Sequence, residues 1–129
     1  MVLERIECQG FRNLADAELQ FAEDLNYITG DNGAGKTNLL EAIFYACNAS
    51  SFRESDDQSL LRFGSQFFRI EARAADDRNG AVYVDAQRKR MTLAGNNVSR
   101  MSDFIGWLGV VIMSIDDIWI VRGAPSKRR

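Results

Sequence analysis

The eight residues Gly30-Asp31-Asn32-Gly33-Ala34-Gly35-Lys36-Thr37 constrain this chain more than any other feature. They match the pattern G-x-x-x-x-G-K-[ST], and each fixed position has a physical task. Glycine lets the backbone take positive φ and approach a ligand with no Cβ in the way. Successive N–H groups then point into one concavity and bond phosphate oxygens, helped by the positive end of the following helix. Lys36 is the candidate point charge for the β- and γ-phosphates of a nucleotide, and the Thr37 hydroxyl the candidate ligand for Mg²⁺. The pattern requires a strand before it and an amphipathic helix after it. Leu25–Thr29 predicts that strand, ending at Gly30, and Leu39, Leu40, Ile43, Phe44 and Cys47 fall at helical spacing beyond Thr37.

The remaining elements read as α/β. Val2–Cys8 predicts a strand, and Ala17, Leu19 and Phe21 alternate with Glu18 and Gln20 as a half-exposed strand does. Asn48 to Ser65 is polar and predicts mainly loop. Phe68, Ile70, Ala72 and Ala74 alternate with Arg69, Glu71 and Arg73, and Val82, Val84 and Ala86 alternate with Tyr83 and Asp85 beyond Asn79-Gly80, a dipeptide that predicts a hairpin turn. Gly95-Asn96-Asn97 predicts another turn. Ser102 is a candidate cap for a short helix carrying Phe104, Ile105 and Leu108, and Val110–Met113 predicts a buried strand. The expected architecture is a P-loop domain of ABC-ATPase type: a mixed core sheet, with an antiparallel β lobe around 67–94 packed beside it. At the end of the chain, Gly123 to Lys127 reads as a helix start with Pro125 in its first turn and no apolar stripe after it. The expectation is a piece of a longer ATPase domain.

Composition narrows the chemistry. The 129 residues contain no His, which removes His nucleophile pairs, His ligands and a His general base from this chain. Cys8 and Cys47 stand far apart and predict buried, reduced thiols rather than a zinc site. Phe104 to Met113 is too short to cross a bilayer as a helix, so no membrane association is expected and the cytoplasm is the default. The net charge of −2 hides a division: residues 1–60 carry 4 basic and 11 acidic side chains, residues 61–129 carry 12 and 7. Clustering such as Arg88-Lys89-Arg90 is one signature of a nucleic-acid surface, though short basic runs more often mark solvated turns. Phe67, Phe68, Tyr83, Trp107 and Trp119 are assigned to packing ahead of base stacking. Glu41, one turn past Thr37, reads as a surface residue of the helix rather than a catalytic base.

Phe11-Arg12-Asn13, the glycine-rich loop, Asn38 to Ile43, Ser51-Phe52-Arg53 and the closing Asp117 to Pro125 followed by Arg128-Arg129 together resemble the N-terminal part of the bacterial RecF family. The resemblance covers the whole chain and is densest over 10–53 and 115–129. It implies an ABC-type ATPase similar to the heads of structural-maintenance-of-chromosomes proteins, in a family about three times as long. It further implies ATP-dependent binding of single- and double-stranded DNA in recombinational repair, replication restart and the SOS response. Partners would be RecR and RecO type proteins and, with ATP, a second copy of the full-length protein. By analogy with related heads, Arg12 would touch the nucleotide bound at Gly30 to Thr37.

The chain departs from the family where Ile115 precedes Asp116-Asp117 in place of Pro, and no Gln stands in that region to serve a Q-loop. Neither a signature motif nor the later acidic strand falls within residues 1–129, so this segment is expected to bind nucleotide without hydrolysing it. The alternative is a small self-sufficient P-loop NTPase in which Asp116 and Asp117, after Val110 to Met113, act as Walker B-like acids.

Overall fold

The computed structural model describes residues 2–113. Six strands form one sheet in the order β2-β1-β3-β4-β5-β6: β1 Leu3–Gln9, β2 Ala17–Gln20, β3 Phe67–Ala74, β4 Asn79–Asp85, β5 Lys89–Leu93 and β6 Asn96–Val98. Among the described residues every pairing is antiparallel. The strands of the expected antiparallel lobe at 67–94 form the middle of this sheet, joined to β1 through the register Ile6↔Ala72 and Cys8↔Ile70.

Alternation decides which face is buried. Ile6 and Cys8, Phe68, Ile70, Ala72 and Ala74, and Val82 and Val84 all turn to one side. Against that side lies α1, Lys36–Asn48, which presents Ala42, Tyr45 and Ala46 to the sheet. Small residues let the helix approach closely, and the space left beside them is filled by aromatic rings. Phe68 meets Phe11 and Tyr45 edge-on, each at 5.4 Å between ring centroids. Both cysteines are buried, as expected, and burial pushes the Cys8 thiol up to about 12 and the Cys47 thiol up to about 11. Neither is a thiolate at neutral pH.

Several sequence expectations fail for identifiable reasons. Leu25–Thr29 forms no strand pairing, and Leu25 and Tyr27 lie exposed. An apolar run becomes a strand only beside another strand, and the described residues place none next to it. Val110–Met113 fails in the same way, with Val111 and Met113 exposed. The β3–β4 hairpin forms, but its turn lies at 75–78. Asp77 takes the left-handed conformation (φ 70°) that Asn79-Gly80 was expected to supply. Gly80 is needed for another reason: a Cβ there would stand 2.5 Å from the ring of Trp107. The β5–β6 turn is Ala94-Gly95, both at positive φ, so Asn96 and Asn97 belong to β6. Ser102 caps nothing; it lies inside the four-residue helix α2, Met101–Phe104, whose N-cap is Arg100.

The end of β1 steers the chain toward the loop. Gly10 sits at φ 67°, its N–H donates to Asp16 and its carbonyl accepts from Arg62 N–H. A Cβ on Gly10 would lie 2.3 Å from the Phe67 carbonyl oxygen. Gly10→Ala is expected to destabilise by about 2–3 kcal/mol, from left-handed strain plus a backbone clash. Urea unfolding checks this; Gly33→Ala, where a Cβ meets nothing within 4 Å, is the milder control.

Candidate functional site

The segment 30–37 forms an exposed loop that runs directly into α1. Gly33 and Gly35 take φ of 84° and 99°, in the region where side chains other than glycine's are strained. Gly35 is the N-cap of α1 and makes no side-chain cap; the first turn contains no acidic residue. The positive end of the helix and its free N–H groups are thus left for an external anion. Lys36 Nζ donates to the carbonyls of Gly30 and Asp31, folding its charge back over the loop. A cavity of about 170 Å³ opens here, lined by Asn13, Gly33, Gly35, Lys36, Thr37 and Asn38. On its other flank is an apolar cavity of about 210 Å³, where Leu14, Leu19, Ile28 and Leu39 face Gly35 and Lys36.

These residues fit a phosphate chain. The cavity offers backbone donors, one ammonium and one hydroxyl, and no carboxylate lines it. Among the described residues no cluster of three or more Cys, Asp or Glu is placed to hold a metal ion. A cation here would take its ligands from Thr37 and from the phosphates themselves.

Glu41 needs correction against the sequence reading. Glu41 is not a surface residue: it is fully buried on α1, one turn beyond Thr37. Its carboxylate takes five hydrogen bonds. Arg12 donates from Nε to Oε1 and from Nη2 to Oε2 (3.2 Å). Arg53 donates from Nε to Oε2 (2.9 Å) and from Nη2 to Oε1 (3.1 Å), and Ser51 Oγ adds the fifth at 2.6 Å. Burial alone would push this carboxyl up. The hydrogen bonds from Arg53, Arg12 and Ser51, with the charge of Arg12, hold it below its ordinary range.

Arg12 reaches this position because Phe11 bridges to Leu61 and the Arg12 N–H donates to the Leu60 carbonyl at 2.8 Å. Its backbone sits at φ 43°, a costly conformation for arginine, fixed by these contacts on either side. What Arg12 touches is Glu41. Among the described residues, the Nη1 groups of Arg12 and Arg53 make no hydrogen bond. The one signal in the sequence for this cluster was the density of resemblance over 10–53, which includes all of its members. Asp116, Asp117 and Trp119 lie outside the described residues, as does the helix start expected at Pro125.

The chain matches the AAA domain family over residues 5–107. It is 36% identical over 134 residues to the DNA replication and repair protein RecF of Salinibacter ruber, covering all of this chain and 32% of that protein. It is likewise 36% identical over 133 residues to RecF of Shouchella clausii, of which it covers 36%. The chain thus spans about a third of the length of these relatives. Among solved structures, the recombination mediator protein RecF with ATP superposes with a TM-score of 0.86 at 33% identity, over 98% of this chain and 36% of that one. A structure of ATP-driven, DNA-stimulated SMC ATPases superposes with a TM-score of 0.80 at 19% identity, over 99% of this chain and 95% of that one, a likeness of fold. The architecture is that of an ABC-type P-loop ATPase. With a family match over residues 5–107 and a TM-score of 0.86 over 98% of its length, the chain belongs to the AAA domain family and matches the N-terminal part of the RecF proteins.

Proposed function

We propose that this chain is the phosphate-binding part of an ATP-dependent DNA-binding protein of recombinational repair, replication restart and the SOS response. The observation that carries the reading is the helix start at Gly35: an uncapped N-terminus with no acid in its first turn, preceded by a loop with two left-handed glycines. The RecF structure solved with ATP and the RecF relatives supply the nucleotide and the process.

In this reading Gly30, Asp31, Asn32, Gly33, Ala34 and Gly35 wrap the phosphates with backbone N–H groups. Lys36 exchanges the Gly30 and Asp31 carbonyls for the outer phosphates, and Thr37 holds Mg²⁺. When bound there, Mg²⁺ would supply charge neutralisation to the phosphate oxygens. Arg12, with two of its nitrogens on Glu41, has Nη1 left to meet the nucleotide. The full-length protein then pairs with a second copy on ATP, binds single- and double-stranded DNA, works with RecR and RecO type proteins, and acts in the cytoplasm. Among the described residues no helix is long and apolar enough to cross a membrane.

Calorimetric titration of the full-length protein with MgATP tests the reading. Saturable, magnesium-dependent heat is expected, and Lys36→Ala should weaken binding by at least about 30-fold, the loss of a charged hydrogen-bond donor to phosphate. Absence of binding, or indifference to Lys36→Ala, ends it.

A further inference from the structure

The crest of the loop is held by few contacts. A Cβ at Gly33 would meet nothing within 4 Å, and inside the loop the Ala34 N–H donates back to the Asp31 carbonyl at 3.0 Å. From outside the loop, Asn13 Nδ2 donates to the Gly33 carbonyl at 3.4 Å. Asn13 is itself held, because its Oδ1 accepts from Asn38 Nδ2, and Asn38 Oδ1 accepts from Arg53 Nη2. Arg53 in turn is forked onto the buried carboxylate of Glu41. An unbroken line of side-chain bonds therefore runs from a buried charge to the loop crest, across residues from three separate segments.

We propose that Glu41 is a positioning residue of the phosphate site, fixing the crest at Gly33 through Arg53, Asn38 and Asn13. The proposal rests on the reading that the loop binds a nucleoside triphosphate. Glu41 never touches the ligand in it; its buried charge sets Arg53, and Arg53 sets the two asparagines. A preformed crest spares the ligand the cost of ordering the loop, so the effect is read in affinity.

The test is MgATP affinity of the full-length protein by calorimetry, with unfolding midpoints measured beside it. Arg53→Lys keeps the charge but has no fork to span Glu41 and Asn38 together. Asn38→Ala cuts the line without touching Glu41. Each is expected to weaken MgATP by about tenfold, the worth of one charge-assisted hydrogen bond. The unfolding midpoint should stay near wild type for Asn38→Ala and fall for Arg53→Lys, which loses a bond to the buried carboxylate. Glu41→Gln should weaken MgATP by a similar factor. Adding Arg53→Lys to Asn38→Ala should leave affinity at the level of Asn38→Ala alone, because both cut the same line, whereas two independent structural losses would multiply. If Arg53→Lys and Asn38→Ala both bind within about twofold of wild type while Lys36→Ala loses binding, the positioning role is overturned and the phosphate reading stands. If Lys36→Ala binds normally, both fall.

Discussion

Glu41→Ala is expected to lower the free energy of unfolding by about 3–5 kcal/mol, the cost of removing one partner from a buried ion pair. Truncation leaves two guanidinium groups facing each other across the vacated site, with the Ser51 hydroxyl deprived of its acceptor. It also frees Arg12, whose left-handed backbone is tied to this cluster through its side chain. Arg5→Ala is the comparison, since it removes a pair in which both side chains are about a third or more exposed (Arg5 31%, Glu18 44%), and should cost less than about 1 kcal/mol. Chemical denaturation of the two variants measures the difference; equal losses would contradict the burial argument.

The same carboxylate sets a pH dependence. Its folded value lies below the ordinary 4.5, so its contribution is complete above that pH and is lost as pH falls through the folded value. The stability gap between wild type and Glu41→Ala should therefore be constant near neutrality and narrow progressively on acidification below 4.5. A gap that widens in acid would reverse the sign and refute the assignment.

Phe68→Ala is expected to cost about 3–5 kcal/mol, as a fully buried aromatic removed from a packed core does. Phe68 stands on the central strand β3 and supports the rings of Phe11 and Tyr45 at once. Phe11 immediately precedes Arg12 in the sequence, and Tyr45 lies one turn after Glu41 on α1. The cavity would thus open beneath both halves of the arginine clasp, and the loss should appear in nucleotide affinity as well as in unfolding. Phe67→Ala, next door on the open face, removes a ring that is 39% exposed and stacked on Tyr83 at 5.4 Å. It should cost about 1 kcal/mol, the worth of an exposed aromatic pair. A urea series on both variants checks the contrast.

Much of the fold was legible because it is periodic. Alternation placed Phe68, Ile70, Ala72 and Ala74 of β3 and Val82 and Val84 of β4 inward, although Ala86 lies exposed beyond β4. The spacing from Leu39 to Cys47 located α1, although the face it buries carries Ala42, Tyr45 and Ala46. Errors came where one local signal had two uses. Asn79-Gly80 looked like a turn, yet Gly80 is small because Trp107 lies on it and Asp77 makes the turn. Leu25–Thr29 carries the right residues for a strand, but pairing belongs to two segments and only one was in view.

What the sequence determined by itself is the shape of the glycine-rich loop at 30–37. Its residues are consecutive, and its shape follows from glycine's access to positive φ and from the start of a helix, both local properties of the backbone. What only the tertiary structure decided is the meaning of Glu41. In the sequence it is one polar position on an amphipathic helix, and its partners Arg12 and Arg53 stand 29 and 12 residues away. A carboxylate is buried only when opposite charge arrives from elsewhere in the chain, and which segments arrive is settled by how the sheet and the helix pack.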